Sequence, residues 1–161
     1  MVREDEHVPH SLVEHPRVYA DGSALTRYLA GAPEGEAWRT WAATYDEALV
    51  TTPLGLTELR GTARRLDQAA QAVAHEVARR IEVVRYFDQA VARASDVAGV
   101  ATPFVALHAG VALGHPDVTR VATYDARLAR VVALYGLDVV SPGRPPRWWE
   151  SDPTPWQPAP S

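Results

Sequence analysis

The chain has 161 residues, enough for one domain with a sizeable core, and 47% of them are apolar. It has no cysteine, which excludes a disulfide framework and any thiolate metal site, and its formal net charge of -4 does not point to a nucleic-acid binder, although an acidic site and a basic groove can cancel. No run of about 18 apolar residues appears and the N-terminus lacks the apolar stretch of a secretory signal, so a cytoplasmic protein with no membrane contact is expected.

In chain order, residues 1–16 carry mixed charge without periodicity and read as a flexible arm. Val18-Tyr19-Ala20 is a short apolar run ending at Asp21, with Ala24, Leu25, Tyr28 and Leu29 following at helical spacing. A helix is expected over 36–47, with Trp38, Trp41 and Tyr45 along one stripe. Leu49 to Thr52 is strand-like, and Pro53 suits the first turn of a helix holding Leu59 and Leu66. An alanine-rich helix covers 68–82, and Val83 to Tyr86 is again strand-like. Helices follow at 88–98 and 103–113, then a strand at 121–123, a helix at 126–135 and a last strand at 137–140. Residues 142–161 hold seven of the thirteen prolines and Trp148, Trp149 and Trp156. So many prolines exclude a helix or central strand, and the tryptophans suggest packing on the domain or on a partner. The division expected is an arm over 1–16, a domain over 17–143 and a tail over 144–161.

Helices between short apolar strands argue for a parallel sheet covered on both faces, whose sites gather at the carboxyl ends of the strands. Asp21, the Thr52 to Glu58 segment and Asp125 each follow a strand closely, so three distant acids can meet at one edge. Each also has an ordinary explanation. Asp21 and Asp125 stand where helix caps stand, and Glu58 lies inside a helix.

Val18-Tyr-Ala-Asp-Gly-Ser-Ala-Leu25 resembles the opening motif of PIN domains, a strand ending in Asp-x-Ser-Ala. Thr57-Glu58-Leu59-Arg60 resembles their second motif, Val121 to Leu128 the segment with their last acid, and Tyr135 to Gly143 the closing turn and strand of VapC-like toxins. The resemblance covers about residues 18–143. It implies a three-layer α/β fold, a short parallel sheet flanked by helices. It also implies a metal-dependent endoribonuclease, the toxin of a toxin–antitoxin pair. Asp21, Glu58 and Asp125 would be its catalytic metal ligands for Mg²⁺ or Mn²⁺, and Ser23 would support the loop or a metal-bound water. All-oxygen ligands suit these cations, which also remove the repulsion among crowded carboxylates. An RNA substrate, a small antitoxin and a homodimer are the partners implied, with the stripe at Trp38 and Trp41 as a candidate dimer face.

One acid of the pattern is missing. VapC-like proteins usually carry Leu-Asp-Ala-x-His-Leu-Ala before the last acidic motif. The matching stretch here is Phe104-Val105-Ala106-Leu107-His108-Ala109-Gly110, so the expected aspartate is Val105, which has no lone pair to offer. Asp96 and Asp117 do not occupy the equivalent turn, and His108 reads as a packed helical histidine. All sixteen basic residues are arginine, which a GC-rich genome explains without any phosphate partner. Arg60, Arg64 and Arg65 are the densest basic patch, and Arg65, seven residues after Glu58, returns to nearly its face as an RNA phosphate contact. The alternative function is a non-catalytic PIN domain that binds RNA or a protein partner. A phosphatase with Asp21 as nucleophile would want a second acid where Ser23 stands.

Overall fold

The computed structural model describes residues 13–156. Most of the expected N-terminal arm, residues 1–12, and the end of the tail, 157–161, lie outside them.

Five short strands form one sheet: β1 (Arg17–Ala20), β2 (Leu49–Thr51), β3 (Glu82–Val83), β4 (Val118–Ala122) and β5 (Asp138–Val140). Their order is β3-β2-β1-β4-β5, and every pairing is parallel. Parallel strands need crossovers, and the helices supply them: α1 (Gly22–Leu25), α2 (Gly35–Tyr45), α3 (Pro53–Leu66), α4 (Gln68–Arg80), α5 (Asp88–Val97), α6 (Pro103–Gly114) and α7 (Ala126–Leu134).

The two-residue period of β1 sorts the core. Val18 and Ala20 join Leu25, Trp38, Leu59 and Val77 from α1 to α4 on one face. Tyr19 joins Val97, Ala109, Leu128 and Val131 from α5 to α7 on the other. The result is the three-layer α/β sandwich expected from the sequence. Complete burial of side chains such as Leu59 and Leu128 stabilises the fold by about 1.5–3 kcal/mol each.

Helix α6 is apolar almost all round, as buried helices are. It lies tightly on α5, because a Cβ on Gly110 would overlap the backbone oxygen of Ala90 and crowd Ala94. Val105 and His108, three residues apart, therefore share one buried face.

Two local expectations are corrected. The helical spacing of residues 24–29 is not one helix: α1 ends at Leu25, a 3-10 turn covers Thr26–Tyr28, and Leu29 is extended. The strand expected over 83–86 is shorter and begins earlier, at Glu82–Val83. Its partner β2 ends at Thr51, so beyond the bond from Val84 N–H to the Thr51 carbonyl no ladder remains. The aromatic stripe of α2 grades outward: Trp38 is wholly buried among Tyr28, Trp41 and Tyr124, Trp41 is half-buried and Tyr45 is exposed.

Candidate functional site

Order β3-β2-β1-β4-β5 places the topological switch between β1 and β4, and the crevice outside the carboxyl ends of these strands is where such sheets bind ligands. Three strand-to-helix junctions meet there, each closed by a polar cap. Asp21 follows β1 and accepts the Ala24 N–H at 3.0 Å. Thr52 follows β2 and accepts the Gly55 N–H at 3.3 Å, with Pro53 at the first turn of α3. Asp125 follows β4 and accepts the Arg127 N–H at 2.9 Å.

These junctions bring Asp21, Glu58 and Asp125 to the walls of one cavity of about 360 Å³, together with Ser23, Val105, His108 and Arg127. Asp96 and Asp117 are exposed and do not line it. Arg65 does not line it either and bonds weakly to Thr62 at 3.4 Å. Arg60 and Arg64 line a separate groove between α3 and α4, with Gln71 and His75.

Asp21 is only 3% exposed. One of its oxygens accepts the Ser23 hydroxyl at 2.7 Å, and the other accepts the Thr123 hydroxyl at 2.8 Å. Ser23 Oγ in turn accepts the Tyr124 N–H at 2.8 Å, tying the first junction to the last. Burial pushes the Asp21 carboxyl above the usual carboxylate range, against the opposing pull of His108 and these hydrogen bonds.

Glu58 reaches the site because residue 22 has no side chain. A Cβ there would overlap both Oε2 and the Cβ of Glu58. Gly22→Ala should therefore lower stability by about 2 kcal/mol through overpacking, measured by denaturant unfolding. An unchanged midpoint would mean that α1 and α3 are not packed so closely.

His108 is the residue that the sequence placed in the core without a task. It is 4% exposed, and both ring nitrogens have partners. Nε2 lies 2.5 Å from Glu58 Oε1, and Nδ1 lies 2.6 Å from the Tyr19 hydroxyl, itself 3.1 Å from Thr52 Oγ1. Burial alone would lower the His108 pKa. The Glu58 hydrogen bond and the charges of Asp21, Glu58 and Asp125 outweigh it, so the net direction is upward. Arg127, also not anticipated, directs its guanidinium at Asp125 from 3.3 Å.

Residues 18–134 match the PIN domain family. The chain belongs to that family. A solved structure, FitAcB from Neisseria gonorrhoeae, is similar with a TM-score of 0.57 and 17% identity, over 78% of this chain and 97% of that one. At that identity the likeness concerns the fold. No curated protein matches the sequence.

A PIN domain calls for a divalent cation, and the oxygen donors of Asp21, Glu58 and Asp125 suit one in kind. The burial of Asp21, which raises its carboxyl, and the close approach of Glu58 over Gly22 fit it as well. The set is nevertheless one carboxylate short at Val105. Among the described residues no group of three or more His, Asp or Glu side chains stands close enough to hold an ion as oriented. Glu58 is turned to His108 and Asp125 to Arg127.

Proposed function

We infer that this PIN domain is an endoribonuclease of the VapC toxin kind, slowed by the valine at position 105. The observation that carries the reading is the convergence of Asp21, Glu58 and Asp125 on one cavity at the switch point of the sheet. These three would hold Mg²⁺ or Mn²⁺. When bound, the ion supplies an activated water and offsets charge developing on a phosphodiester.

The chain's own residues do the rest. Ser23 and Thr123 fix the Asp21 carboxylate through both of its oxygens. Arg127, on the cavity wall, holds Asp125 and offers its remaining donors to a phosphate oxygen. Arg60, Arg64 and Arg65 are exposed on α3, the helix that carries Glu58, and would offer phosphate contacts apart from the cavity. Family likeness adds a small antitoxin, a homodimer and a cytoplasmic setting to the proposal. Among the described residues no helix is long and apolar enough to cross a membrane.

Calorimetry with Mn²⁺ on the wild type and on Asp21→Asn tests the shared site. The wild type should bind weakly, and the variant should lose most of that binding and any cleavage of single-stranded RNA. Identical titrations would remove Asp21 from a metal site. A second reading, a PIN domain that binds RNA or a protein partner without cutting, is favoured by Val105, which leaves the cavity one carboxylate short. Retention of labelled RNA without cleavage at saturating Mn²⁺ would select it. An adjacent reading frame encoding a short DNA-binding protein would favour the toxin.

A further inference from the structure

Glu58 has the hardest placement of the three acids. Its side chain is 37% exposed on the second turn of α3, and a glutamate there is free to sample several rotamers. Asp21 and Asp125 are short and capped on their own helices. Glu58 has no such local anchor. Its anchor comes from the opposite layer: Oε1 meets His108 Nε2 at 2.5 Å, while Oε2 lies over the backbone of Gly22, next to Asp21.

His108 in turn does not depend on helix α6 alone for its ring orientation. The Tyr19 hydroxyl meets Nδ1 at 2.6 Å, from the middle layer of the sandwich. Tyr19 is fully buried, and its hydroxyl also meets Thr52 Oγ1 at 3.1 Å, which fixes where it points. The Glu58 carboxylate can only accept, so Nε2 carries the proton that faces it. One chain of contacts thus crosses all three layers, with the ring of His108 held from the sheet.

We propose that Tyr19 and His108 form a relay that fixes the Glu58 carboxylate at the mouth of the cavity, which makes His108 a positioning residue of the site. The relay concerns the same site as the ribonuclease reading, and its bearing on metal rests on that reading. Partners one step behind a ligand commonly matter by about 10–100-fold in metal affinity.

Two measurements on the full chain test it. In metal-free protein, proton–nitrogen NMR should show a downfield, slowly exchanging Nε2–H of His108. That signal should shift on Glu58→Gln and disappear on His108→Ala. In calorimetry with Mn²⁺, His108→Ala should bind about 10–100-fold more weakly than the wild type. His108→Gln, which keeps an N–H at the Nε2 position, should recover much of the loss, and Tyr19→Phe should lose less than His108→Ala. Recovery by glutamine separates positioning from mere filling of the core. The relay is overturned if the signal ignores Glu58→Gln, or if His108→Ala binds Mn²⁺ as tightly as a wild type that binds it, or tighter. A wild type that binds no Mn²⁺ while the signal still follows Glu58 supports the relay and removes the metal reading alone.

Discussion

Val105→Asp should cost the metal-free protein about 3 kcal/mol and make its thermal midpoint climb steeply with added Mn²⁺. Val105 is 4% exposed, one turn before His108 on α6, and lines the cavity shared by Asp21, Glu58 and Asp125. An aspartate there loses the packing of the valine and adds a fourth carboxylate to three. The burial that already raises the Asp21 carboxyl acts on the newcomer as well. The added acid is thus a liability without a cation and a ligand with one. Ion binding to the folded state alone stabilises it by about 2.7 kcal/mol at a hundredfold excess over Kd, enough to return most of the loss. Thermal midpoints with and without Mn²⁺, and cleavage of single-stranded RNA, should be measured for both proteins. The variant should gain metal dependence and cleavage together. If it gains neither, position 105 is not the place of the missing acid. If the wild type already cleaves as fast as the variant, the acid was dispensable and the non-catalytic reading falls.

What the sequence disclosed follows from the range of each signal. Alternating apolar runs and helical periods reflect local burial, so the parallel order and the two helical layers were readable, as were the acids at three strand ends. Contacts between distant residues leave no such trace. His108 lies 89 residues from Tyr19 and 50 from Glu58, and only the rotation of α6, set by its packing on α5, turns it toward them. Thr123 was read as part of a strand, yet its hydroxyl faces Asp21 across 102 residues. The misread strand at 83–86 has a similar cause. Val84 and Tyr86 favour a strand, but whether the segment pairs depends on where β2 ends.

The tail carries the other large effect. Trp148→Ala should destabilise the protein by about 3 kcal/mol, the low end for loss of a buried tryptophan. A 3-10 turn at Trp148–Glu150 lays Trp148, 9% exposed, on Ala126 and Ala129 of α7, with Val139 of β5 and Trp149 beside it. The Arg144 guanidinium covers the Trp148 ring at 4.8 Å and pairs with Glu34 near the start of α2. Beyond the turn, Arg130 of α7 donates to the Trp149 carbonyl at 3.1 Å and to the carbonyls of Asp152 and Thr154. One arginine thus gathers three carbonyls of a proline-rich segment that has no helix or ladder of its own to satisfy them. Among the described residues the buried indole N–H of Trp148 has no hydrogen-bond partner, so apolar contact with α7 is what the ring contributes. Deleting residues 144–161 removes the tryptophan and leaves Ala126, Ala129 and the Arg130 head exposed, so the midpoint should fall by about 10 °C. Arg130→Ala should give a smaller drop than either change, because Trp148 still covers α7. Thermal unfolding and mass per particle of the four proteins provide the test. A deletion variant with an unchanged midpoint and an unchanged mass would make the segment a passive linker. A changed mass with an unchanged midpoint would make it part of an interface between copies of the chain.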